Sequence, residues 1–597
     1  SFKEISEFCQ RYGLKQFMNK IPEKWKKSDS NQCNLEVEVV SNLNNIDLGN
    51  EIGIEVDLYD RNDYFRSEVF GIALSNKNKI VYLNIADAKK DQKLLSILAD
   101  EKVAKYAYDF KAIKAALHKE NIEVNGLKFD ILIASYLLDS TIKNNPQAVM
   151  NLYGIDLKSS DEEISLLSTN NPEIAGKIAY FSLFTSDKIL VELEKVNALK
   201  LFNELEIPLT STLADMEIEG FPLSKDDLTN FGQEYKEKLK NLTDEIYALA
   251  GTKFNISSPK QVGDILFNKL GLPDHEKGST SVDVLNSLLG QHPIIEKLLD
   301  YRKYFKLVTT YIDGFIQHIY PDGKIHTSFN QAVTQTGRLS SSNPNLQNIS
   351  IRDEESKNIR KSFYYDNENI EILSYDYSQI ELRILAHLSN CQKLIDVFKS
   401  NEDIHASTAK NVFKVDKPSD LQRRKAKVVN FGIVYGISDW GLAEELGIPV
   451  KEAKEMIENF YQAYPEVALF FKQIVDNGIK DGFVSTMLGR RRYLAGFHDS
   501  NYQVREFAKR AAMNAPIQGS AADLIKLAMI RIAKAIKENN YKSKMVLQIH
   551  DELIFKVYKD EKEQIKNLVM NEMKRAMELN VPLEVDGGFG RTWYDAK

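Results

Sequence analysis

The chain has 597 residues, enough for several domains rather than one. It is 43% hydrophobic and 27% charged, so sizeable cores can form, and no uninterrupted apolar run approaches ~20 residues, which excludes a membrane-spanning helix. The net charge of -7 argues mildly against a nucleic-acid partner, but phosphate backbones are met by local patches and metal-binding acids lower the total. The three cysteines, Cys9, Cys33 and Cys391, have no metal-ligand spacing and form no disulfide framework, which points to a reducing compartment.

Residues 1 to about 50 are polar and rich in Asn and Lys, and a loosely packed start is expected there. From Ile52 the pattern changes. Residues 52–58, 69–74 and 80–83 read as three strands, and helices follow near 90–99, 110–119 and 129–138. This is an α/β domain with acids at strand ends: Glu55 and Asp57, then Asp109. Residues 141–177 read as irregular connection around short helices. A helix over 178–201 contains Asp187. After a turn at residues 219–222, Phe231, Tyr235, Leu239, Leu242, Ile246 and Leu249 mark a long amphipathic helix stopped by Gly251. Those six residues are a core-facing stripe, and Lys236, Lys238 and Lys240 between them form a solvated or DNA-facing side.

Residues 334–348 are polar and contain Gly337 and Pro344, as an ordinary loop would, yet Arg338, Gln347 and Asn348 are side chains able to read sugar edges and minor-groove acceptors. Residues 370–383 read as a strand that ends on Asp376 and runs into a helix carrying Ile380, Ile384, Leu385 and Leu388. Asp376 is either a helix N-cap or a metal-binding carboxylate at the strand end. Residues 404–470 are mostly helical. Within them Arg423, Lys427, Phe431 and Tyr435 follow at i, i+4 steps, so two cations and two rings share one face. Such a face suits a nucleoside triphosphate, although a solvated basic face has the same pattern. Gly432 and Gly436 weaken the helix where a bulky partner must come close or the helix must move. Residues 484–493 and 505–510 supply a basic cluster, and residues 514–520 break a helix at Pro516 while presenting the amides of Asn514 and Gln518. Residues 545–557 read as a β-hairpin with His550, Asp551 and Glu552 at its tip, where adjacent acids are costly unless something positive faces them.

Taken together these segments resemble the bacterial DNA polymerase I family, family A. Residues 376–383 resemble its first polymerase motif, Arg423 to Gly436 the second and residues 550–552 the third, with 336–341 and 514–518 matching flanking motifs. The resemblance implies an α/β multidomain, right-hand polymerase with an N-terminal RNase H-like 3′–5′ exonuclease domain. The expected divisions are an extension (1–50), the exonuclease-like domain (51–203), thumb and palm entry (204–349), palm (350–400), fingers (401–539) and the rest of the palm (540–597). It implies two Mg²⁺ ions held by Asp376, Asp551 and the carbonyl of Tyr377, with Glu552 assisting. Arg423, Lys427 and His405 would meet phosphates, and Lys427 could protonate the leaving group. Phe431, Tyr435 and Gln379 would line the nucleotide site, and Glu381 would exclude a 2′-hydroxyl. Arg338, Arg510, Asn514, Gln518 and His550 would follow primer-template DNA. Deoxynucleoside triphosphates are the second substrate, and the protein is expected to act as a monomer away from membranes.

The exonuclease resemblance is less regular. Residues 54–57 place Glu55 and Asp57 where the family has Asp-x-Glu, so the two acids are exchanged in length. Asp109 fits the second motif. The third has Tyr-x-x-x-Asp, and here Asp187 follows Leu183. Two-metal proofreading is expected in weakened form. The Asn- and Lys-rich composition and the start at Ser1 resemble the plastid branch of the family in apicomplexan parasites, which implies a plastid (apicoplast) address and a primase-helicase cut from the same precursor. A single-subunit RNA polymerase would need a small residue at Glu381, and a non-catalytic scaffold would have lost Asp376 or Asp551.

Overall fold

The computed structural model describes residues 35–157, 170–274, 276–349 and 353–596. Cys9, Cys33 and most of the expected N-terminal extension lie outside the described residues. The chain divides into two compact units: Ser1–Glu219 with Phe329–Ser341 and Tyr375–Gly587, and Gly220–Ser328 with Ser342–Ser374 and Gly588–Lys597.

The first unit opens with a six-stranded sheet made of β1 (Val37–Val39), β2 (Glu51–Leu58), β3 (Val69–Ser75), β4 (Ile80–Asn84), β5 (Ala104–Ala107) and β6 (Leu127–Asp130), in the order β1-β4-β3-β2-β5-β6. β2 runs antiparallel to β3 and parallel to β5. Ile52, Ile54 and Val56 are buried, and so are Gly53 and Glu55 on the other face, because helices cover both sides. α1 (Phe110–Lys119) and α2 (Pro172–Phe184) supply that cover. A Cβ on Gly53 would lie 1.9 Å from the Ala179 carbonyl oxygen, so α2 rests directly on β2.

Several expectations change here. The stretch from residue 35 is not loose: β1 pairs with β4, and Leu43 and Leu48 are buried in the core. β5 and β6 are four-residue strands of mixed polarity, too short to show a period, and β6 takes the start of the helix expected over 129–138. The helix expected over 178–201 is interrupted at Thr185, which separates α2 from α3 (Ser186–Lys195), and again at Asn197, whose φ is +58°. A π-helical turn, Phe202–Glu206, then leads into α4 (Ile207–Glu219).

The elements that matter further along the chain are β7 (Ile370–Tyr377), α5 (Ile380–Ser389), α6 (Ile404–Phe413), α7 (Asp420–Val434), the short strands β8 (Phe483–Ser485) and β9 (Arg491–Tyr493), α8 (Tyr502–Glu538), β10 (Lys544–Ile549), β11 (Glu552–Tyr558) and β12 (Val585–Gly590). The second sheet has the order β10-β11-β7-β12. Residues 514–520 do not break the helix: α8 runs for 37 residues with Pro516 inside it. Proline removes one ladder bond, at a cost of about 3 kcal/mol. Burial of Asn514, Ala515, Ile517, Gly519, Ser520, Ala521 and Ala522 around it offsets that cost.

In the second unit the helix Lys225–Ala250 is capped by Ser224 and closed by Gly251 at φ +65°. It buries Tyr235, Leu242 and Ile246, with Tyr235 packed on Tyr304 of the helix Ile294–Lys306 at 5.4 Å between centroids. Lys236 pairs with Asp313 at 3.0 Å, and Lys238 lies over the rings of Tyr235 and Tyr304. Among the described residues no helix is long and apolar enough to cross a membrane.

Candidate active site

Asp376 is the last residue but one of β7, and the helix after it is entered through Gln379, which sits at φ +46° and makes no side-chain cap. The N-cap alternative for Asp376 therefore falls, since Gln379 holds the N-cap position. β10 and β11 form the expected hairpin, with His550 at φ +52° and Asp551 as its two-residue tip. Glu552 is not at the tip but is the first residue of β11, where it is buried. The Tyr377 N–H donates to the Asp551 carbonyl at 3.2 Å, which brings the two acid-bearing backbones side by side. The Tyr377 hydroxyl is anchored to the Met573 carbonyl at 2.7 Å.

Two further side chains act on Asp551. Withdrawal from water pushes its carboxyl up to about 6; Arg338 opposes the rise and Glu381 adds to it. Glu381 is buried on α5, ion-paired with Arg338 at 2.7 Å, and it accepts from the Tyr435 hydroxyl at 3.4 Å. Burial, with Glu381 beside it, pushes the Tyr435 phenol up to about 12. Asp376 and Asp551 with one main-chain carbonyl would offer hard oxygen donors, which fit a divalent cation. Among the described residues no group of three or more His, Cys, Asp and Glu side chains gathers as a metal cluster.

α7 presents the expected face. Its start is secured by a capping box of Ser419 and Gln422. Arg423 and Lys427 are exposed and Phe431 is half-buried along one side. The helix ends one residue earlier than the i, i+4 series implies: Val434 is its last residue and Tyr435 its C-cap. Gly436 then takes φ +67°, while Ile437 N–H returns to the Gly432 carbonyl at 2.8 Å and Gly436 N–H to that of Ile433 at 3.0 Å. The two glycines are thus a helix stop rather than a weakened helix interior. His405 on α6 is buried beneath this face, its ring 5.9 Å from that of Phe431. Asn430 Nδ2 lies 3.0 Å from His405 Nδ1, which leaves the ring proton on Nε2. Burial, with Lys427 and Arg423 nearby, lowers His405 to about 4 against the pull of Asp403. Asp403 caps α6 and holds Arg423 at 2.6 Å. Neither Asp403 nor Asn430 stands out in the sequence; the one hint is that Asp403 precedes a helix start.

Gln379 and His550 are exposed at the turns that flank the junction. Arg510 is half-buried on α8 with its Cγ 3.1 Å from where a Cβ on Gly436 would stand, so it braces the end of α7. Asn514 donates to the Val434 carbonyl at 3.3 Å, and Gln518, one turn on, is half-buried. The basic cluster expected over 484–510 is divided. Arg490 is buried between Glu206 and Asp523 and belongs to no exposed patch.

In the six-stranded sheet Glu55 is fully buried. It pairs with Arg61, accepts from Val56 N–H at 2.8 Å, and is raised by burial to about 7 in spite of Arg61. Asp57 accepts from Asn171 N–H at 2.8 Å and the Tyr82 hydroxyl at 3.2 Å, and burial raises it too. Asp109 starts α1 at φ +55°. Asp187 does not join them. Ile189 and Leu193 turn inward on α3, which leaves Asp187 81% exposed and 3.6 Å from Lys77. Lys77 lies in the β3–β4 turn, which the Gly53↔Ser75 pairing puts at the Glu51 end of β2, away from Asp57. Two residues absent from the sequence reading belong to this cleft. Asp130, buried at the end of β6, accepts from the N–H groups of Asp109, Phe110, Leu132 and Ile133, and burial followed by the charge of Asp109 pushes it up to about 7. Arg61 is the other; its signal, a cation four residues beyond Asp57, is too common to stand out.

Two acid-bearing strands side by side in one sheet, a cationic and aromatic helix face, and a separate RNase H-like sheet define a polymerase-type mixed α/β architecture. Comparison with known proteins agrees. Residues 225–595 match DNA polymerase family A, and residues 54–165 match the ribonuclease H-like domain of DNA polymerase I. DNA polymerase I of Lactococcus lactis subsp. cremoris is 45% identical over 551 residues, covering 90% of this chain and 62% of that protein. DNA polymerase I of Geobacillus stearothermophilus is 40% identical over 613 residues, covering 100% of this chain and 70% of that protein. The POL domain of Pol1 from M. smegmatis, solved in complex with DNA primer-template and dNTP, superposes with a TM-score of 0.85 at 34% identity over 94% of this chain and 100% of that one. The chain belongs to DNA polymerase family A.

Proposed function

We propose that this protein extends a primer 3′ end on a DNA template with deoxynucleoside triphosphates. The observation that carries this reading is the junction at which Tyr377 N–H meets the Asp551 carbonyl, because it sets Asp376 and Asp551 on neighbouring backbones 175 positions apart in the sequence. Asp376, Asp551 and the Tyr377 carbonyl would hold divalent magnesium. When bound, the ions lower the pKa of the primer 3′-hydroxyl and neutralise the leaving pyrophosphate.

The chain's own groups do the positioning. Arg423 and Lys427 attract the triphosphate, and Lys427 is placed to donate a proton to the departing phosphate oxygen. Neutral His405 offers Nε2–H as a hydrogen bond rather than a second charge. Phe431 and Tyr435 face the base and sugar, and Glu381, held by Arg338 and Tyr435, fills the space a 2′-hydroxyl would need. Arg510, Asn514, Gln518, Gln379 and His550 surround the primer-template path, with Glu552 buried behind Asp551. The same reading assigns 3′–5′ trimming to the RNase H-like domain, through Glu55, Asp57 and Asp109. A plastid address and a primase-helicase partner rest on the Asn- and Lys-rich composition alone, since the relatives described above are bacterial; imaging of the tagged protein in its own cells tests them.

Primer extension with the four deoxynucleotides tests the central claim. The wild type extends the primer, and Asp376→Ala lowers the rate by about 10³-fold or more, the scale on which removal of one transition-state contact acts. Equal extension by both proteins would refute the assignment.

A further inference from the structure

The RNase H-like cleft already contains a cation. The Arg61 guanidinium contacts Glu55 Oε1 and lies 5.3 Å over the ring of Tyr108, and its Nη2 reaches the Val56 carbonyl at 3.5 Å. Its charge also bears on Asp57 and is felt in turn from Asp109. One guanidinium therefore offsets the charge of Glu55, which it contacts, and its field reaches Asp57 as well. The fit is imperfect in a telling way. Glu55 Oε2 and Arg61 Nη1 are both buried without a hydrogen-bond partner. A fully matched structural ion pair would be bidentate, using both atoms. One carboxylate oxygen and one guanidinium nitrogen are thus left over in the cleft, and the Arg61 side chain is still 23% exposed, so it has a way out.

We propose that Arg61 is a built-in competitor for the divalent-cation site that Glu55, Asp57 and Asp109 would form in its absence, and that metal enters this cleft only when the guanidinium leaves it. Arg61 stands on the loop between β2 and β3, so it can withdraw without unpairing the sheet. The trimming assigned above, on which the second readout below rests, is thereby held low. Water adds to the phosphorus of the terminal phosphodiester and the bond to the penultimate 3′-oxygen breaks. That oxygen gains a proton, and a nucleoside 5′-monophosphate leaves.

The test compares the full chain with Arg61→Gln and Arg61→Lys. Bound Mn²⁺ is counted by electron paramagnetic resonance, and a labelled primer with a mispaired 3′ end is followed in Mg²⁺ without nucleotides. Arg61→Gln should bind at least one more Mn²⁺ per chain than the wild type at the same free concentration, and Asp57→Asn on that background should remove the gain. It should shorten the primer at least tenfold faster, while Arg61→Lys, which keeps the charge, stays close to the wild type. Primer extension is unchanged throughout, so its failure would count against the polymerase reading alone. Equal Mn²⁺ counts in Arg61→Gln and wild type would overturn the proposal, whether or not either protein shortens the primer. Slower shortening by Arg61→Gln would also overturn it, by making Arg61 part of the hydrolytic machinery. Should Arg61→Gln fail to fold, a wild type whose Mn²⁺ count falls on Asp57→Asn substitution would refute the competitor role by itself.

Discussion

His405 shows how far one side chain's chemistry depends on what faces it. Burial and the charges of Lys427 and Arg423 outweigh the attraction of Asp403, so the ring is held neutral with a value of about 4. The folded value lies below the ordinary 6.5, so folding favours the unprotonated ring. Its contribution is therefore complete above pH 6.5 and declines as pH falls from 6.5 towards 4. Thermal melts across that range should show the wild type losing stability more steeply than His405→Gln; parallel curves would show that His405 is not the titrating group. Phe431 poses a different question, one of a missing atom. It is a bare, half-buried ring on the side of α7 that carries Arg423 and Lys427, and on the proposed reading a hydroxyl there could supply part of what an absent 3′-hydroxyl normally provides. Phe431→Tyr is expected to raise dideoxynucleotide incorporation by an order of magnitude or more, about 1.4 kcal/mol per decade of discrimination. A competition assay with mixed nucleotide pools reads this directly, and an unchanged ratio would refute it.

At the scale of elements, glycines separate shape from space. Gly519 lies inside α8 with ordinary helical geometry, yet a Cβ there would stand 2.5 Å from Thr486 Cγ2 and 3.0 Å from the Thr336 carbonyl oxygen. Gly447 has φ +63° and nothing within 4 Å of its missing Cβ. Gly519→Ala should cost about 1–3 kcal/mol through overpacking, and Gly447→Ala about 1 kcal/mol through backbone strain alone. Urea denaturation distinguishes them, and equal costs would mean that the contact of α8 with the 334–341 loop yields easily. The same contrast explains what could be read in the sequence. α7, the helix stopped by Gly251 and the hairpin at Asp551 were legible because their signals are local: a 3.6-residue period, a capping residue, two apolar runs about a polar tip. β5, β6 and the continuity of α8 through Pro516 were not, because each is decided by what packs against it. In the candidate site the acids could be found as residue types at element junctions. The partners of Glu55, His405 and Arg423, which are Arg61, Asn430 and Asp403, could not, since a loop or a neighbouring helix must first fold back to bring them in.

Across the whole of the first unit, the least legible feature is a buried charge network joining segments from distant parts of the chain. Glu206, in the π-helical turn before α4, meets Arg490 and, at 2.8 Å, Lys526 of α8; Arg490 also meets Asp523 at 2.7 Å. Gln331 donates both to the Glu206 carboxylate and, at 2.8 Å, to its carbonyl. Two anions and two cations balance with almost no solvent contact. Arg490 also fills the space that a side chain at position 337 would need, so the network supports the loop that carries Arg338. Although burial opposes it, the charges of Lys526 and Arg490 hold Glu206 down at about 2. A depressed carboxyl stabilises the fold fully above its unfolded value near 4.5, and the contribution is lost as pH falls from 4.5 towards 2. Replacing both sides of a buried pair with apolar groups is often tolerated, whereas removing one partner strands the other charge at about 3–5 kcal/mol. Glu206→Gln should therefore destabilise the protein on that scale and flatten its acid unfolding between pH 4.5 and 2. Because the support beneath residue 337 is disturbed, nucleotide addition should slow even at temperatures where the variant remains folded. Denaturant titration, acid melts and primer extension on one preparation check all three; a variant as stable as the wild type would show that Lys526 and Arg490 find other partners or water in its absence.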